Sequence, residues 1–170
     1  MSFDKNPTVS IVCTVYNKEK WIGQAIDSFL SQKDVDFEIL LIDDASTDAS
    51  RDIIQKYAEQ YPDIIRTLYN DHNLGIAETW HRATKGDYIA RCDGDDYWID
   101  ECKLAKQLAF LEKNPESKWC GTDIDFVDVD GKTVEHNVFT RQIVDLSDSY
   151  EKMIATRGFT APSTWLIQRD

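Results

Sequence analysis

Basic charge is what this sequence has least of: 19 Lys and Arg stand against 31 Asp and Glu, a formal charge of −12. A nucleic-acid or anionic-membrane surface needs a basic patch, so neither is expected as a general partner, although local basic pockets stay open. Long apolar runs are missing as well. Nothing approaches the ~20 consecutive apolar residues of a membrane span, and Met1 to Pro7 has no apolar signal-peptide core. The expectation is a cytoplasmic chain with no membrane span, working in solution or at the cytoplasmic membrane face. Cys13, Cys92, Cys102 and Cys120 form no CxxC pair, and His72, His81 and His136 stand apart. That spacing offers neither a zinc pattern nor a Cys/His nucleophile. No Gly-rich, basic phosphate loop opens the chain, and no repeat or low-complexity tract interrupts it.

What is present suffices for one substantial core. At 170 residues and 42% hydrophobic content, the simplest reading is a single domain over residues 1–170. The β-branched run Thr8 to Val15 predicts a strand buried on both faces. Between Glu19 and Gln32 the period changes, and Ile22, Ile26, Phe29 and Leu30 share one helical face. Phe37 to Ile42 reads as a second strand, and Ile53, Ile54, Tyr57, Ala58 and Tyr61 mark a second helix with Ser46 or Thr47 as its N-cap. A third strand over Ile64 to Asn70, a short helix over Ile76 to Lys85 and a fourth strand over Asp87 to Cys92 complete a β-α-β-α-β-α-β alternation. The expected fold class is α/β, a Rossmann-like, mostly parallel sheet with helices on both faces. Beyond it lie a helix from Leu104 to Asn114, a strand from Trp119 to Val129, a helix over Ser147 to Thr156 and a short strand over Ser163 to Gln168.

In such folds ligands bind beyond the carboxyl ends of the strands. Polar residues gather there: Thr14, Tyr16 and Asn17 after strand one, Asp43 and Asp44 at strand two, Asn73 and Gly75 after strand three, and Asp93-Gly94-Asp95-Asp96 after strand four. The last motif reads as a site for Mg²⁺ or Mn²⁺, which prefer oxygen ligands and often complete their shell with substrate phosphates. A polar loop is the plain alternative, since Asp and Gly are common turn residues. An EF-hand is excluded, because Trp98 and Leu104 occupy the positions that need Gly and Glu. Asp130-Gly131 lies between strand-like runs and is expected to be a hairpin turn without chemistry.

Converging carboxylates repel an anionic ligand unless a cation sits between them. Asp96 is the first choice of ligand, then Asp95 or Asp93. Asp44 could accept the N3 proton of uracil while Tyr16 supplies an aromatic face, an arrangement that selects a pyrimidine nucleotide. Packing for Tyr16 and a helix-dipole role for Asp43 or Asp44 are equally open readings. Trp80, Trp98 and Trp119 are either sugar-stacking aromatics or core.

Four segments in order, Thr14-Val15-Tyr16-Asn17-Lys18-Glu19, Ile42-Asp43-Asp44-Ala45-Ser46-Thr47-Asp48, Asn73-Leu74-Gly75 and Asp93-Gly94-Asp95-Asp96-Tyr97-Trp98, resemble family 2 glycosyltransferases of GT-A fold over roughly residues 6 to 130. The resemblance implies that Thr14, Tyr16, Asn17 and Glu19 form the first nucleotide-binding loop. It also implies that Asp44 contacts the base with Asp43 beside it, that Asp95 holds ribose or metal, and that Asp96 holds the metal. Asn73, Gly75 and Asp93 complete the implied nucleotide-sugar site. The implied reaction is metal-dependent transfer from a nucleotide-diphospho-sugar, most often a UDP-sugar, to a saccharide or lipid-linked saccharide acceptor with inversion. Such transfer needs a general base, which similar enzymes carry in a segment after the part that ends here at Asp170. The expectation is therefore a nucleotide-sugar part over about 6–114, an incomplete acceptor part over about 115–170, and a longer parent enzyme. The segment between Gly75 and Gly86 is about one helical turn shorter than in many relatives, which leaves any role of Arg82 unassigned.

Two rival classes share acidic metal sites. A receiver domain would place its Asp pair after the first strand and a Lys after the fifth, which this order does not match. A nucleotidyltransferase would open with the phosphate loop that is missing.

Overall fold

The computed structural model describes residues 6–73, 84–142 and 161–169. Its centre is β1 (Val9–Val15), flanked by β2 (Phe37–Asp43) and β4 (Tyr88–Asp93), with β3 (Ile65–Tyr69) outside β2. These four strands run parallel in the order β3-β2-β1-β4, as the βαβ alternation predicts. The register decides which side chains meet: Thr14 lies opposite Asp93, and Val15 opposite Asp43, which in turn pairs with Tyr69. Polar ends of three strands are thereby drawn to one level.

Burial on both sheet faces explains the unbroken apolar strands. Val9, Ile11, Cys13 and Val15 point into the larger core cluster with Ile39, Leu41, Ala90 and Cys92, whereas Val12, Leu40, Ile42 and Ile89 form a second cluster. Helices α1 (Ile22–Leu30), α2 (Ser50–Gln60) and α3 (Lys103–Lys113) all contribute to the larger cluster. The helix expected over Ile76 to Lys85 and that over Ser147 to Thr156 fall largely or wholly outside the described residues. In α1, Ile22, Ile26 and Phe29 are fully buried, the face that the periodicity marks.

Four details differ from the sequence reading, one being that the last strand starts at Leu166, after a 3-10 turn over Pro162–Thr164, rather than at Ser163. Helix α1 starts at Ile22 rather than Glu19, because residues 18 to 21 form a turn in which the Lys18 carbonyl accepts from Trp21 and Ile22 N–H. Neither Ser46 nor Thr47 caps α2. The cap position is Ala49, and the Asp48 carboxylate takes the Ser50 N–H at 2.9 Å. The expected strand from Trp119 to Val129 is broken into β5 (Trp119–Cys120) and β6 (Phe126–Val127), the latter paired with β7 (Thr133–Glu135) in a separate hairpin. Asp123 and Asp125, inside that span, spend their oxygens on the backbone N–H groups of Phe139, Thr140 and Asn137, so the chain leaves the ladder there. The short helix α4 (Val138–Gln142) starts on those carboxylates. The hairpin turn is as expected, with Gly131 at φ +78°.

The last strand, β8 (Leu166–Gln168), lies antiparallel between β4 and β5, pairing Ala90 with Leu166 and Trp119 with Ile167. At the opposite end of the sheet Gly86 packs against β1. A Cβ there would stand 2.5 Å from the Ser10 backbone nitrogen. Among the described residues no cysteine is disulfide-bonded, and Cys13 and Cys92 are buried. No described helix is long and apolar enough to cross a membrane.

Candidate functional site

The loop after β1 and the loop after β2 are bolted together. Asn17 adopts φ +54°, a left-handed conformation that asparagine tolerates better than most side chains. Its N–H donates to Ser46 Oγ at 3.0 Å and its Oδ1 accepts from the Thr47 N–H at 2.8 Å. Next along, the Lys18 N–H donates to Ser50 Oγ, the Glu19 N–H donates to Asp48, and Glu19 Oε2 accepts from the Ala49 N–H. Asn17 and Glu19, expected in the nucleotide loop, thus use their polar atoms to hold that loop against its neighbour. Tyr16 remains 47% exposed at the tip, and Thr14 is half-buried behind it.

Asp43 and Asp44 differ sharply in environment. Asp43 is fully buried: its Oδ2 accepts from Arg51 Nε at 3.0 Å, and its Oδ1 has no partner. Arg51 also reaches the Asn70 carbonyl and stacks over the Tyr69 ring, with its guanidinium carbon 4.8 Å from the ring centroid. Asp44 lies at the surface limit of burial, and its Oδ1 accepts from Asn70 Nδ2 at 2.8 Å. Of the pair, only Asp44 keeps any exposure, at 9%. Asn73 follows β3 at the same edge, exposed, while Gly75 lies outside the described residues.

The three carboxylates after β4 take separate partners. Asp93 Oδ1 accepts from Arg91 Nη2 at 3.1 Å and faces Thr14 Oγ1 at 3.5 Å. Asp95 pairs with Lys18 Nζ at 2.5 Å, which ties the acidic turn to the first loop. Asp96 Oδ2 accepts from Ser163 Oγ. Burial pushes the Asp96 carboxyl above its ordinary range, and repulsion from Asp95 and Asp93 adds to this, opposed by Ser163 and Lys18. Among the described residues no group of three or more His, Cys, Asp or Glu side chains is arranged to hold a metal ion. The donor set instead fits a cation bound by one or two carboxylates whose shell is completed by phosphate oxygens and water. A cation there would offset the repulsion among Asp93, Asp95 and Asp96 that Ser163 and Lys18 oppose.

Beyond the acidic turn opens a cleft of about 500 Å³. Asp95, Asp96, Tyr97 and Ile99 line one side, and Asp125, Phe126 and His136 of the hairpin region line another. His136 Nδ1 lies 2.8 Å from Asp125 Oδ2. Trp98 is 8% exposed and packs on Phe29 at 4.9 Å, so of its two readings the structure selects core. Under it lies Lys103, whose ammonium is 4.3 Å from the Trp98 ring and bonded to Gln107 Oε1. Burial lowers the Lys103 pKa to about 8. Trp119 is 44% exposed and meets Trp165 edge-on, and Trp80 lies outside the described residues.

The sequence reading missed Lys18, Arg51, Asn70 and Ser163. Lys18 and Arg51 sit within or beside the quoted motifs, and the surplus of acid at this edge was a signal that some cation must answer it. Ser163 lies 67 residues from Asp96 and had no local signal.

A parallel sheet with acidic strand ends facing an open cleft is the GT-A arrangement, and comparison with known proteins agrees. The profile of glycosyl transferase family 2 matches residues 10–169, and the chain belongs to that family. It is 36% identical over 104 residues to the Escherichia coli UDP-Glc:alpha-D-GlcNAc-diphosphoundecaprenol beta-1,3-glucosyltransferase WfaP, covering 61% of this chain and 41% of that protein. Staphylococcus aureus TarS (1–349) in complex with UDP superposes with a TM-score of 0.67 at 24% identity, over 95% of this chain and 46% of that one. The mannosyltransferase PcManGT from Pyrobaculum calidifontis, in complex with GDP-Man and Mn²⁺, superposes with a TM-score of 0.57 at 25% identity, over 64% and 33%. The chain spans less than half the length of the curated relatives it matches. Family membership sets aside the receiver and nucleotidyltransferase readings.

Proposed function

We propose that this chain carries the donor site of an inverting glycosyltransferase that moves a sugar from a UDP-sugar to an acceptor hydroxyl. The observation that carries the reading is the convergence of the β1, β2 and β4 ends, with the first two loops hydrogen-bonded together and the third tied to them through Lys18 and Asp95. In this reading Thr14, Tyr16, Asp44, Asn73 and Gly75 border the nucleotide. Tyr16 offers its exposed ring to the base, and Asp44, nearly buried and held by Asn70, accepts the imino proton of a uracil. Asn17 and Glu19 set the shape of the loop, and buried Asp43 holds Arg51 rather than touching the ligand.

Asp96 and Asp95 would hold Mn²⁺ or Mg²⁺, with Asp93 orienting the turn through Arg91 and Thr14. A divalent cation there supplies Lewis-acid stabilisation of the departing diphosphate. Similarity to WfaP, a UDP-Glc-dependent glucosyltransferase acting on a diphosphoundecaprenol-linked sugar, and to PcManGT, solved with GDP-Man and Mn²⁺, supports this reading. The cleft beyond Asp96 is the place for a saccharide or lipid-linked saccharide acceptor, so residues of both the 6–114 and 115–170 parts of a single domain would face it. Asp123 and Asp125 on its far side have their oxygens committed to backbone amides and to His136, and the general base is not assigned to them.

Calorimetric titration with UDP in Mn²⁺, repeated in EDTA and with GDP and ADP, tests the proposal. Metal-dependent, UDP-selective heat is expected. Selective GDP binding would move the donor to a GDP-sugar, and silence with every nucleotide would refute the donor site.

A further inference from the structure

The acidic turn is completed from the far end of the chain. Ser163 is 6% exposed and sits in a single 3-10 turn, Pro162–Thr164, immediately before β8. Its hydroxyl is used in both directions. Oγ donates to Asp96 Oδ2 and accepts the Asp93 backbone N–H at 3.1 Å, so one atom spans the first and last residues of the acidic turn. The turn that presents it is held from several sides. The Ser163 carbonyl accepts from Trp98 Nε1 at 2.9 Å, the Thr164 carbonyl accepts from Gln107 Nε2 at 2.9 Å and Lys103 Nζ at 3.3 Å, and Thr164 Oγ1 donates to the Ala161 carbonyl at 2.8 Å. Pro162 pre-sets the backbone at the start of the turn, and β8 is locked between β4 and β5.

We infer that Ser163 is a positioning residue for the cation site: its hydroxyl fixes the rotamer of Asp96 and leaves Oδ1 to face the metal. The inference rests on the proposed function, in which Asp96 is a metal ligand. Its physical basis is that a carboxylate free to rotate pays ordering entropy when it binds a cation, whereas one already held by a buried donor does not. A consequence is that the donor site is not contained in residues 6–114. The turn before β8 belongs to it.

The test is Mn²⁺ titration of the protein in the presence of UDP, followed by electron paramagnetic resonance of free Mn²⁺. It compares wild type with Ser163→Ala, Ser163→Cys and Thr164→Val, with circular dichroism and a thermal melt of each. Ser163→Cys keeps the side-chain shape with a slightly larger thiol that donates weakly, and Thr164→Val disturbs the same turn without touching Asp96. The expected result is about a 10- to 100-fold loss of Mn²⁺ affinity in both Ser163 variants, the range seen when groups behind a metal ligand are removed, with Thr164→Val like wild type. Wild-type Mn²⁺ affinity in the Ser163 variants, or an equal loss in Thr164→Val, overturns the positioning role. Failure of the wild type itself to bind Mn²⁺ overturns the reading of the site and the inference with it.

Discussion

Replacing Asn17 with alanine separates a ligand-binding role from a structural one. The side chain makes two contributions that alanine lacks. It accepts the Thr47 N–H at 2.8 Å, worth about 1 kcal/mol for a hydrogen bond at an exposed site. It also sits at φ +54°, where an ordinary Cβ residue costs roughly 1 kcal/mol more than asparagine or glycine. Asn17→Ala should therefore destabilise the fold by about 2 kcal/mol, a fall of about 4–8 °C in Tm for a domain of this size. Asn17→Gly loses the hydrogen bond and adds unfolded-chain entropy but avoids the left-handed strain, so it should cost less than alanine. Urea unfolding of the three proteins without nucleotide measures the order, with wild type most stable and alanine least. If Asn17→Ala stays within about 0.5 kcal/mol of wild type while UDP affinity collapses, the residue is a ligand contact and the argument from the loop clasp is wrong.

Asp96→Ala should abolish the Mn²⁺-dependent part of UDP binding, whereas Asp130→Ala, in the hairpin turn, should leave it intact; calorimetry showing equal effects would break the site assignment. Gly86→Ala forces a Cβ to within 2.5 Å of the Ser10 nitrogen and 2.7 Å of the Val9 carbonyl carbon, contacts with backbone that cannot swing aside. We expect a loss of more than about 2 kcal/mol by urea unfolding, and a milder effect would mean that β1 and the residue 86 loop separate easily. Lys103 titrates near pH 8 in the folded protein and near 10.5 when unfolded. Between those values the unfolded chain binds the extra proton, so this residue's contribution to stability rises with pH by about 3 kcal/mol across the window and is least favourable below pH 8. Stability curves of wild type and Lys103→Met from pH 7 to 11 should converge or cross in that direction, and parallel curves would show that the amine is not desolvated.

Alternating apolar segments, the parallel sheet and the placing of acidic residues at strand ends were all legible in the chain. Each follows from local rules: β-branched runs make buried strands, a period near 3.6 makes helices, and parallel strands align their carboxyl ends. The sequence by itself therefore determined the fold class and the edge at which chemistry gathers, and its motifs pointed to the family. What only the tertiary structure decided is how side chains at that edge are spent. Asp43 and Asp44 are adjacent and chemically identical, yet the first, at the end of β2, is sealed against Arg51, and the second, just past the strand, keeps a little exposure and takes Asn70 instead. Ser46 and Thr47 look like helix caps but serve Asn17 instead, Ser46 through its hydroxyl and Thr47 mainly through its backbone N–H, since a polar group bonds to whichever partner the packed loops bring near. The run from Trp119 to Val129 is strand-like by composition and breaks where two carboxylates find backbone donors 12 to 17 residues away. Ser163 reaches Asp96 only because β8 enters the sheet antiparallel beside β4. Local periodicity records which face of an element is buried, but contacts between distant segments depend on strand order and register, which no short window of sequence contains.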